Sequence, residues 1–96
     1  MIKVTTRHGT YYIIDKENQI AKRVKGDERN EMYGDEEWFE FSSVHSYVRE
    51  TNTHGDDIEI GKDMYFFLRG PRYYDWRIST TVTSIEEVVD NYPSQE

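Results

Sequence analysis

Short runs in which apolar and polar residues alternate, each closed by a turn signal, constrain this 96-residue chain more than any other feature. Ile2, Val4 and Thr6 alternate with Lys3, Thr5 and Arg7, the two-residue period of a half-buried strand. His8-Gly9 turns the chain, and Thr10 to Ile14 is β-branched or aromatic at every position, as a strand buried on both faces would be. Asp15 to Asn18 is a polar turn leading to a third strand, Gln19 to Lys25, with Ile20, Lys22 and Val24 on one face. These three strands read as a meander.

The pattern resumes further on. Trp38 to Phe41 forms a short strand that Val44 to Arg49 continues after a bend at Ser42-Ser43. Ile58-Glu59-Ile60 alternates, and Met64 to Arg69 sets Met64, Phe66 and Leu68 opposite Tyr65 and Phe67. Gly70-Pro71 ends that run, and Tyr73 to Thr83 returns as one long strand, Tyr74, Trp76 and Ile78 on one face and Asp75, Arg77 and Ser79 on the other. The expected fold is therefore all-β, a small antiparallel, partly closed barrel resembling the SH3 or OB type, since closure removes exposed edges. One helix is expected at the end, where Ser84-Ile85-Glu86-Glu87 has the spacing of a capping box before Val88 and Val89.

Residues 1–90 are expected to form one domain, with flexible loops at 26–37 and 51–57 and a disordered tail at 91–96. A chain of this length buries roughly 60 to 65% of its unfolded surface in a single core. With no cysteine there is neither a disulfide nor a thiolate metal site, so stability must come from packing. The 8 Tyr, 4 Phe and 2 Trp supply it, because each buried ring removes about 150–250 Å² from water. No apolar run approaches the roughly 20 residues of a membrane span, which makes a cytoplasmic protein without membrane contact the expectation.

The formal net charge of −7 is unevenly placed. Residues 1–25 carry six cations against two acids, residues 26–60 two against eleven, and the remainder four against six. Such polarity bears on partner choice and association rate more than on fold. It singles out an acidic surface, Asp27, Glu28, Glu31, Asp35, Glu36 and Glu37, able to meet a basic patch or to imitate the phosphates of DNA.

No phosphate-binding glycine run, dinucleotide fingerprint, H-E-x-x-H or nucleophile elbow is present. His8, His45 and His54 are scattered, and His54-Gly55-Asp56-Asp57 reads as a solvated loop rather than a metal site. Neither an enzyme nor a cofactor is expected. What remains is Tyr65 with Arg69, Arg72, Tyr73 and Arg77 about a hairpin tip. Arginines interleaved with aromatics serve protein interfaces, and they also suit single strands, whose bases stack while guanidinium groups hold phosphates.

The opening Met1-Ile2-Lys3-Val4-Thr5-Thr6-Arg7-His8-Gly9-Thr10-Tyr11-Tyr12-Ile13-Ile14-Asp15 and the closing Trp76-Arg77-Ile78-Ser79-Thr80-Thr81-Val82-Thr83-Ser84-Ile85-Glu86-Glu87-Val88 resemble the small accessory proteins encoded by actinobacteriophages, over about a third of the chain. That resemblance implies a non-enzymatic phage protein that binds and modulates or inhibits a host protein in the host cytoplasm, and the strand edges of a small β domain leave it a monomer or a homodimer. A single-stranded nucleic-acid module and a virion component are the alternatives.

Overall fold

A computed structural model describes residues 1–26, 36–70 and 75–88. Eight strands form one antiparallel system: β1 (Ile2–Thr6), β2 (Tyr11–Asp15), β3 (Ile20–Val24), β4 (Trp38–Val48), β5 (Thr53–His54), β6 (Asp63–Leu68), β7 (Trp76–Ile78) and β8 (Val82–Glu87). Their order across the sheet is β7-β6-β4-β3-β2-β1-β8, with β5 paired to β4 off this path. The expected β1–β2–β3 meander is present, with Val4 opposite Tyr12 and Tyr12 opposite Arg23.

Strand β4 joins two halves of the sheet. Its first residues pair with β3, Ala21 opposite Phe39, and its later ones with β6, Val44 opposite Phe66. Between them the register shifts from Phe41 to Ser43, at the bend the two serines suggested. Such an irregularity bends a strand and adds twist. Its effect is visible in the core. β2 and β6 lie three places apart, about 14 Å in a flat sheet, yet the Tyr12 and Phe66 rings stand 5.5 Å apart between centroids. The sheet therefore curls over, and its concave face encloses one cluster containing Val4, Tyr12, Ile14, Ala21, Phe39, Phe41, Met64, Phe66 and Val82. The sheet curls without closing, because its end strands β7 and β8 do not pair with each other.

On the convex face of the first half, Ile13 is also fully buried. Lys3 and Lys22 flank it from the neighbouring strands. Their ammonium groups lie over the Tyr11 and Trp38 rings at 4.4 and 5.0 Å, so the aliphatic stems shield Ile13 while the charges meet ring faces.

Three expectations are corrected. The C-terminal helix is a strand: β8 pairs with β1, Glu86 opposite Lys3 and Ile85 opposite Val4. A helix of one or two turns before Pro93 would be marginal on its own, whereas β8 completes the ladder of β1 and buries Val82 to 1% exposure. The long strand from Tyr73 is broken at Ser79–Thr81 into β7 and β8, and its start, residues 73 and 74, lies outside the described residues. Ile58–Ile60 is no strand, since Ile58 is buried as a loop anchor while Ile60 is 62% exposed. The loop expected at 51–57 contains β5, and of the 26–37 loop only Gly26, Glu36 and Glu37 are described. The tail at 91–96 lies outside the described residues.

Candidate binding face

Pairing between β6 and β7 decides what the second half of the sheet shows to solvent. Phe66 faces the core at 0% exposure, and its partner Arg77 is drawn to the same side, with its guanidinium carbon 4.5 Å from the Phe39 ring centroid. Trp76 and Ile78, opposite Phe67 and Tyr65, then fall on the outer face. The expected alternation, Trp76 and Ile78 on one face and Arg77 on the other, is thus present, with the Trp76 face turned outward.

Six rings converge there: His45 and Tyr47 from β4, His54 from β5, Tyr65 and Phe67 from β6, and Trp76 from β7. Tyr65 is the hub. Its ring lies 5.4 Å from His45 in a stacked arrangement, 5.1 Å from Tyr47, 4.8 Å edge-on to His54, 4.9 Å from Phe67 and 6.2 Å stacked on Trp76. Strand alternation brings Tyr65 and Phe67 to one side, and β4 supplies His45 opposite Tyr65. Separations of this kind lie within the range favoured by the ring quadrupole. Phe67 and Trp76 remain 42% and 50% exposed, so the cluster is open to solvent at its β7 side.

The opposite side is tied down. The Tyr47 hydroxyl donates to Asn52 Oδ1 at 2.7 Å, holding the β4–β5 turn. Asp63, the cross-strand partner of Tyr47, accepts from Arg49 Nε at 2.9 Å, and Arg49 also donates to the Ser79 carbonyl at 3.2 Å. His45 Nε2 and His54 Nδ1 are 2.7 Å apart, one ring donating to the other. Burial first, and the charge of a protonated His54 second, hold the His45 pKa below its ordinary value.

Of the residues proposed from sequence, Tyr65 sits at the centre of this face. Arg69 lies elsewhere, its Nε 3.5 Å from a Glu40 carboxylate oxygen and its terminal nitrogen donating to Gln19 Oε1 at 3.1 Å. Arg77 is turned inward as described. Arg72 and Tyr73 lie outside the described residues, as do Asp27, Glu28, Glu31 and Asp35. Glu36 and Glu37 are exposed, Glu36 with a positive φ of 64° and its amide donating to the Arg23 carbonyl at 2.7 Å. His45, Tyr47, His54, Phe67 and Trp76 were missed as site residues. For His45 with Tyr47, and for Tyr65 with Phe67, the signal was the two-residue spacing of rings on strands already recognised.

No family model, curated protein or solved structure matches the chain, so the chemistry of this face is argued from its own residues.

Proposed function

We propose that this is a non-enzymatic binding protein, of the phage accessory kind its termini resemble, that docks on a host protein in the host cytoplasm through the outer face centred on Tyr65 and modulates it. The observation that carries this reading is the exposure of Phe67 and Trp76 within a continuous ring cluster. Contiguous apolar area on a small protein marks an interaction site more often than isolated exposed side chains do. Tyr65 at the middle of such an area and an exposed Trp76 on its β7 side, with charged pairs such as Arg49–Asp63 at its margin, match the residue types of protein interfaces, where aromatic anchors carry most of the energy.

Among the described residues, the placement of Arg69 and Arg77 favours a protein partner over a nucleic acid. Bases could stack on Tyr65 and Trp76, but phosphates need guanidinium or ammonium groups beside the rings. Arg69 is engaged by Glu40 and Gln19, and Arg77 lies over Phe39 on the concave side. A structural place in the virion, the other reading of the resemblance, would use the same face against a neighbouring particle subunit.

The test is affinity capture from host lysate with the wild-type chain, a Phe67→Ala/Trp76→Ala double variant and an Ile60→Ala control, an exposed apolar residue between β5 and β6. A partner retained by wild type and control and lost with the double variant supports the proposal. Capture that is indifferent to the double variant, or no partner at all, overturns it. Binding of single-stranded oligonucleotides that weakens steeply with salt would move the assignment to nucleic acid.

A further inference from the structure

Within the aromatic face, two imidazole nitrogens point at one another. His45 on β4 and His54 on β5 are diagonal neighbours, since His54 pairs with Tyr47 two residues along β4. Their rings tilt by 59° with centroids 4.9 Å apart, and Nε2 of one meets Nδ1 of the other at 2.7 Å. Two ring nitrogens at that separation need something between their lone pairs. In the free protein it is a proton, shared in an N–H···N hydrogen bond.

A metal ion could take its place. Metal–imidazole bonds are about 2.0–2.1 Å long, so two imidazoles in neighbouring positions of a square or octahedral ion stand about 2.9 Å apart, and about 3.3 Å around a tetrahedral one. The observed pair needs to open by a few tenths of an ångström to meet the first value, and the rings must turn so that both lone pairs aim at one point beside the N···N line. Coordination requires the imidazoles in their neutral form. The His45 ring is also held in place, stacked on Tyr65 at an interplanar angle of 15°.

We propose that His45 and His54 form a two-imidazole chelate for a divalent late first-row transition ion, with water completing the coordination. No net proton is released when both rings are neutral, because the donor ring moves its N–H to its other nitrogen. Imidazole donors suit Cu²⁺, Ni²⁺ and Zn²⁺, with Cu²⁺ held most tightly, and do not suit Mg²⁺ or Ca²⁺, which take oxygen ligands. Oδ1 of Asp57, three residues after His54, accepts from Lys16 Nζ at 3.0 Å and from the Ile58 amide at 2.7 Å. Among the described residues no third His, Cys, Asp or Glu joins the pair in a metal-holding group. The site is consequently open, and an ion bound there would pin the two-residue strand β5 to β4 in the middle of the aromatic face. The chelate does not depend on the existence of a protein partner.

The experiment titrates the full, untagged chain with ZnCl₂ and with NiCl₂, followed by NMR of the histidine side chains, with MgCl₂ as the control ion. The expected result is saturable one-to-one binding of Zn²⁺ and Ni²⁺ that moves the His45 and His54 resonances and leaves His8 unmoved. His54→Ala, at an exposed position, should weaken binding at least tenfold, and His54→Gln should weaken it equally. His8→Ala should leave it unchanged. Far-UV circular dichroism establishes that each variant is folded. The absence of saturable shifts at millimolar Zn²⁺ and Ni²⁺ overturns the proposal, and so does undiminished binding by a folded His54→Ala or His54→Gln chain.

Discussion

Phe66 and Phe67 are adjacent phenylalanines with opposite duties, and replacing each by leucine separates them. Phe66 is fully buried, and its ring centroid lies 5.5 Å from Tyr12, 5.1 Å from Phe39 and 5.4 Å from Phe41. Leucine keeps most of the apolar burial and forfeits three ring pairs worth about 0.5–1.5 kcal/mol each, so Phe66→Leu should cost about 2–4 kcal/mol. A chain of this length has about 5–14 kcal/mol in total, which leaves the variant folded enough to measure. Phe67 is 42% exposed and its ring neighbours share the same wet face. Phe67→Leu should therefore cost less than about 1 kcal/mol. Urea unfolding followed by tryptophan fluorescence distinguishes them. With a slope of roughly 1 kcal/mol per molar, the midpoint should fall by about 2 M or more for Phe66→Leu and by less than about 1 M for Phe67→Leu, at unchanged slope. Equal shifts, or a larger one at Phe67, would refute the facing of β6 and with it the exposed aromatic surface.

Three further outcomes follow from the same strand pairing and packing. Glu86→Pro, harmless in the first turn of a helix, should destabilise by about 1–3 kcal/mol because β8 loses its ladder bond opposite Lys3; chemical denaturation measures it. Gly26→Ala should be more destabilising than Gly61→Ala in the same assay, since a Cβ at Gly26 would stand 2.4 Å from the Gly9 carbonyl carbon, whereas at Gly61 it meets open space and only a φ of +95° opposes it. The unfolded chain protonates His45 near its ordinary pKa of about 6.5 and the folded chain only at lower pH, so acid favours unfolding from about pH 6.5 down to the folded pKa. NMR titration should place the His45 midpoint below the usual histidine range, and His54→Ala should raise it.

Much of the fold was legible because strand periodicity is a local property. The meander, the bend at Ser42-Ser43 and the opposed faces of Met64 to Leu68 follow from alternation alone. What could not be read depended on pairing between distant segments. Ser84 to Glu87 carries a helix-start signal, and only the presence of β1 beside it makes a strand the better use of those residues. Alternation sets Trp76 and Arg77 on opposite faces, and nothing local says which of the two faces Phe66 would turn inward. His54 sits in a segment rich in turn residues, so its approach to His45 is a tertiary fact.

Ser79 connects this failure of local reading with the candidate site. It is buried to 3%, and it clips β6 to the end of β7 twice: its amide donates to the Met64 carbonyl at 2.8 Å, and its hydroxyl accepts from the Met64 amide at 3.0 Å. The same hydroxyl donates to the Thr80 carbonyl at 2.6 Å, at the break between β7 and β8. Met64 is fully buried, so the clip is fixed to the core. Counting back from Ser79, Arg77 must then face inward while Trp76 and Ile78 face out. Moving the clip by one residue would bury Trp76, bring Arg77 to the surface and break up the ring cluster about Tyr65. The outward aromatic face thus rests in part on a serine whose hydroxyl accepts from the Met64 amide, a bond that no apolar side chain could make.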